Sequence, residues 1–114
     1  MLQLENRLKA SRDFDRVWKV GCFFSTANLK MKIAPNKKNV SRFGFVVSTK
    51  ISKLAVVRNR IKRQVREVSR LLIKDGQIKC GFDAVILLER GLIDKKTEII
   101  SVEVKKIFSL AGLL

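Results

Sequence analysis

The chain has 114 residues, 46% of them hydrophobic and 31% charged, which suits one compact domain over residues 1–114 and leaves little room for a second. Lys and Arg number 25 against 10 Asp and Glu, so the formal charge is +15, more than solubility requires and the mark of a polyanionic partner. Histidine is absent and the two cysteines stand far apart, at 22 and 80, which excludes histidine-based triads and zinc clusters and argues for reduced thiols in the role of packing residues.

Taken in chain order, Ser11 reads as an N-cap for a first helix over 12–20, in which Phe14, Val17 and Trp18 recur at i, i+3 and i+4 before Gly21. Asp13 and Asp15 in its first turn complement the positive end of the helix dipole; two positions apart, they do not face each other as a catalytic or metal-binding pair would. The short apolar run CFFS follows, and then Leu29, Met31 and Ile33 alternate with Lys30 and Lys32, as in a strand with one wet face. Pro35 and Asn36 open a turn. The segment RFGFVVS, 42–48, is almost continuously apolar, which predicts a central strand covered on both faces, with Gly44 at a bulge or a close backbone approach.

A second helix is predicted over 55–73, where Val57, Ile61, Val65, Val68 and Leu72 form an apolar stripe. Asp75, Gly76 and Gln77 form a turn, and DAVILL, 83–88, is a further buried strand. A third helix carries Ile100, Val104, Ile107, Ala111 and Leu114 on one side, with Asp94 or Thr97 as its cap and Gly112 fraying its end. The order of helix, two or three strands, helix, strand and helix implies an α+β sandwich with helices packed on a mostly antiparallel sheet. No run approaches the roughly 18 to 20 apolar residues of a membrane span, and the opening MLQLENRLKA lacks the apolar core of a signal peptide, so a cytoplasmic location without membrane contact is expected.

The positive charge is concentrated. From Lys30 to Arg70 stand 13 basic residues and one acid, Glu67, a local charge of +12 that leaves +3 for the other 73 residues. On the second helix Arg58, Lys62 and Arg66 repeat every four residues, about 6 Å apart along the axis, while Arg60, Arg63 and Arg70 broaden the same surface. A merely solvated helix face would mix signs to gain i,i+4 pairs; a nearly unmixed cationic face calls for an anion, and arginine forks suit phosphate oxygens. Asn59, between two arginines, can add a hydrogen bond to a sugar or base edge.

The string KISKLAVVRNRIKRQVRE, 50–67, preceded by RFGFVVS, closely resembles the RNR signature of the bacterial ribonuclease P protein subunit. The likeness extends to Asn6–Lys9, to the helix DFDRVWKVG, to the strand beginning at Asp83 and to the closing amphipathic helix. It implies a helix-strand-strand-strand-helix-strand-helix fold like that of a ribosomal protein domain, with a left-handed βαβ crossover through the RNR helix. It further implies an enzyme whose chemistry lies in its RNA: the protein binds the ribonuclease P RNA and the single-stranded 5′ leader of precursor tRNA, with no obligate protein partner. Magnesium ions serve the reaction and are held mainly by the RNA. Carried over by matching position, Phe14, Trp18, Lys50, Arg58, Asn59 and Lys62 belong to the leader-binding cleft, and Lys53, Arg60, Arg63, Arg66 and Arg70 to the surface for the catalytic RNA. The pattern departs at Ser52, where glycine is common, at Glu89, where an arginine usually stands, and near Lys32 or Ile33, where an aromatic is common; Arg90 and Lys32 are secondary candidates. A ribosomal or other structural RNA-binding protein is the alternative.

Overall fold

The computed structural model describes residues 6–47 and 50–114. Its elements are α1 (Ser11–Val20), β1 (Cys22–Ser25), β2 (Leu29–Pro35), β3 (Arg42–Val47), α2 (Ala55–Lys74), β4 (Phe82–Leu88) and α3 (Thr97–Leu110), with a 3-10 turn at Arg90–Leu92 before α3. The four strands form one sheet in the order β1-β2-β4-β3. β1 with β2 and β2 with β4 are antiparallel, whereas β3 lies parallel to β4 and reaches it through α2, a parallel βαβ crossover.

Alternation along the strands separates two layers of packing. Leu29, Met31 and Ile33 of β2, Phe43 and Phe45 of β3, and Ala84, Ile86 and Leu88 of β4 face one way. They meet the buried stripes of α2 (Ile61, Val65, Val68, Leu72) and α3 (Ile100, Val104, Ile107, Phe108) in the main core. The rings of Phe43 and Phe108 stack at 5.6 Å between centroids. The other face is covered only in part: α1 lays Val17 on Ala34 and Val85, with Leu8 and Phe14 alongside.

Several expectations require correction. The predicted central strand β3 stands at an edge of the sheet, and its last expected residue, Ser48, lies outside the described residues. Its continuous apolar character at Phe43–Phe45 arises because α2 covers one face and α1 the other, and that covering does not depend on having two strand neighbours. The segment before α1 shields this edge instead: Arg7 bridges to Phe43, the Leu8 amide donates to the Phe43 carbonyl at 3.0 Å, and Asn6 Nδ2 donates to the Ser41 carbonyl at 2.9 Å. Ser11 is the first helical residue and Ala10 its cap; α3 is preceded by Lys96, and neither helix has a side-chain cap. Asp94 sits instead at φ 63° in the loop. Gly112 does not fray α3 but closes it. At φ 76° it lets the Leu113 amide reach the Phe108 carbonyl and its own amide reach Ser109, which seats Leu113 in the core. Both cysteines are exposed rather than packed.

Candidate nucleic-acid interface

Phe14 and Trp18 stand one turn apart on α1 and meet different surroundings. The Phe14 ring lies on the backbone of β3 at Gly44, where any Cβ would fall inside its van der Waals envelope; the close approach expected at this glycine is made by that ring. Phe14 is therefore half core and half surface, and with Arg7, Lys9, Gly44, Lys62 and Arg66 it lines a groove of about 240 Å3. Because β3 is an edge strand, this groove wraps around the sheet and joins α1 on one face to α2 on the other. Trp18 is 46% exposed. Lys32 on β2 places its ammonium 5.0 Å from the Trp18 ring centroid and donates to the Trp18 carbonyl at 2.7 Å, which fixes the ring against the sheet.

The docking of α1 is governed by Asp83, fully buried at the start of β4. Its carboxylate accepts hydrogen bonds from Arg42 Nε at 2.8 Å and Nη2 at 2.6 Å and from Asn36 Nδ2 at 2.8 Å, and forms a further ion pair with Arg16 of α1. Burial taken alone pushes this carboxyl up, but the hydrogen bonds of Arg42 and Asn36 and the charges of Arg42 and Arg16 together hold it below the usual carboxylate range. Arg16 also donates to the Pro35 carbonyl at 2.9 Å, and Arg42 lies 3.5 Å from Asp13. Two cations of the chain are thus committed to structure. Nothing in the local pattern singles out Arg16 or Arg42 for that role; the isolated acid that opens the apolar run DAVILL is the legible half of the cluster.

The cations of α2 divide by direction. Lys62 and Arg66 turn toward Phe14, and Asn59, Lys62, Arg63 and Arg66 line a wider recess with Val56 and Glu67. Arg60 turns to the opposite flank, where it lies 3.4 Å from Asp94. Arg70 is gripped by Glu67 at 2.6 Å, and that hydrogen bond lowers the Glu67 carboxyl to about 2. Arg58 donates to the Ser52 carbonyl at 2.8 Å and braces the turn ahead of the helix, in which Lys53 is exposed. Lys50 and Arg90 form a separate station with Val46 and Leu87 at the ends of β3 and β4, where Arg90 donates to the Lys50 carbonyl at 2.9 Å. The structure therefore joins Phe14 with Lys62 and Arg66, Trp18 with Lys32, and Lys50 with Arg90. Lys62 and Arg66, which the resemblance assigns to the leader cleft and to the catalytic-RNA surface respectively, line one groove. Arg7 and Lys9 complete that groove and stand outside the basic block from Lys30 to Arg70; their only sequence signal is the opening Asn6–Lys9.

This architecture recurs in known proteins. The ribonuclease P family profile matches residues 2–112. The chain belongs to the ribonuclease P protein family. It is 40% identical to the ribonuclease P protein component of a Synechocystis species over 95% of this chain and 86% of that one. Identity to the component from Clostridium kluyveri is 37%, over 94% and 95%. Among solved structures, the Staphylococcus aureus ribonuclease P protein superposes with a TM-score of 0.83 at 27% identity, covering 95% of this chain and 96% of that one. The Thermotoga maritima protein gives 0.78 at 29%, covering 88% and 92%. These likenesses favour a ribonuclease P protein over the alternative of a ribosomal or structural RNA-binding protein. Among the described residues no three carboxylate, cysteine or histidine side chains gather as a metal-binding group. No helix among them is long and apolar enough to cross a membrane.

Proposed function

We propose that this chain binds the catalytic RNA of ribonuclease P through the outer face of α2 and holds the single-stranded 5′ leader of precursor tRNA along α1 and the open face of the sheet. The RNA then performs the magnesium-dependent cleavage that frees the mature 5′ end, and the protein acts as a non-catalytic subunit in the cytoplasm. The observation that carries this reading is the groove at the β3 edge, where the Phe14 ring and the cations Lys62 and Arg66 line one channel. A ring with a sequence-tolerant π-face beside phosphate-spaced cations suits an unpaired strand better than a duplex. Trp18, steadied by Lys32, offers a second stacking ring one helical turn further on.

The chemistry asked of the protein is placement. Lys62, Arg66, Arg7 and Lys9 neutralise phosphates, the rings hold bases, and the scissile bond is thereby presented to the RNA as a nearly intramolecular substrate. Cleavage of a precursor tRNA at low magnesium by a bacterial ribonuclease P RNA, with this protein, without it, and with the protein alone, tests the reading. The pair is expected to cleave at the mature 5′ end while the protein alone leaves the precursor intact. A pair no faster than the RNA alone would return the chain to a structural RNA-binding role.

A further inference from the structure

Of the phenylalanines in the strands, Phe24, Phe43, Phe45 and Phe82 pack into or against the main core, but Phe23 is 53% exposed. Strand alternation explains the direction: with Phe24 turned to the core, Phe23 must stand on the face shared with α1. Its register partner across the ladder is Lys32. Directly opposite residues on one face bring their Cβ atoms to about 5 Å, so the Phe23 ring neighbours the same lysine whose ammonium rests 5.0 Å from the Trp18 centroid. Phe23, Lys32 and Trp18 thus form a row of ring, cation and ring. The next pair on this face, Ser25 and Lys30, brings a second, half-exposed ammonium that stands 3.2 Å from the Glu89 carboxylate.

An open phenylalanine on an edge strand invites unwanted pairing unless a ligand takes it. A purely apolar partner would have to bury the adjoining lysine, whereas an unpaired nucleotide strand satisfies both, with bases on the rings and phosphates beside the ammonium groups. We propose that Phe23 is a further stacking residue for the unpaired leader, taking a base beyond the one held by Trp18. This rests on the leader-binding reading above and extends it across β2 to β1.

The test uses the complete complex of catalytic RNA and protein, with precursor tRNAs whose leaders lengthen one nucleotide at a time, and mature tRNA as reference. Phe23→Ala is expected to weaken binding about tenfold, within the range for loss of one base–aromatic stack, only once the leader passes a threshold length longer than that for Trp18→Ala. Phe23→Trp should keep the affinity. Phe23→Leu, which preserves an apolar side chain without a π-face, should behave as Phe23→Ala. Equal loss on mature tRNA, no loss at any leader length, or full affinity in Phe23→Leu would overturn the proposal. If Trp18→Ala shows leader-dependent loss and Phe23→Ala none, the extension alone fails; if neither does, the leader reading falls with it.

Discussion

Asp83 shows how one buried carboxylate can position a binding surface it never touches. It gathers Arg16, Arg42 and Asn36, and through Arg16 it anchors the helix that carries Phe14 and Trp18. Its carboxyl is held below the ordinary value, so the stability it supplies is fully present above the unfolded value, about 4, and is lost as pH falls through the folded one. Denaturant unfolding as a function of pH should therefore show stability falling below about pH 4, and Asp83→Asn should flatten that limb. At neutral pH the same substitution should cost about 2 to 3 kcal/mol, below the full penalty for breaking a buried pair because both guanidinium groups reach water. Gly44 is the second such residue. Gly44→Ala must displace the Phe14 ring, so a lowered melting temperature and weakened leader binding are expected together, whereas Phe14→Ala should weaken binding with Gly44 left intact.

At the scale of the element, α2 does two jobs on opposite sides of one cylinder. Its stripe of Ile61, Val65, Val68 and Leu72 joins the core, and its remaining circumference is divided between cations already engaged and cations aimed outward. Arg60 and Arg70 stand near Asp94 and Glu67, so their contribution to RNA binding must compete with those acids. Arg63→Ala should lower the slope of log affinity against log salt by about one, and Arg60→Ala or Arg70→Ala by less, in titrations with the catalytic RNA. Glu67→Gln removes the one negative charge from this face and should tighten binding at low salt. The periodicity of α2 was fully legible: the predicted end at 73 differs from the observed Lys74 by one residue. The helix ends were less so. Asp94 has the right side chain for a cap, but the chain turns at φ 63° there and starts α3 three residues later. Gly112 was read for its weak helix propensity, while its freedom at positive φ was what the fold used.

For the whole molecule, the decisive fact is the strand order. A central β3 would have left α1 and α2 on faces separated by a continuous sheet, with Phe14 and Lys62 out of reach of one strand of RNA. At the edge, β3 is narrow enough for a ligand to pass from one helix to the other, and the leading segment at Arg7 and Lys9 lines the passage. The concentrated positive charge should also make association fast and steeply dependent on salt across the complete complex.

What the sequence determined by itself is what short-range order can encode. The periods of the helices and strands, the location of the surplus charge, the lack of histidine chemistry and the RNR signature are each carried by residues close together in the chain. The tertiary structure alone decided which strand lies at the edge, which arginines are bound to Asp83 or Asp94, and that the Phe14 ring shares a groove with Lys62 and Arg66. Those are outcomes of pairing between segments dozens of residues apart. A local pattern reports whether a side chain is to be covered, but the strand or helix that covers it is chosen by the competition of all the faces to be buried at once.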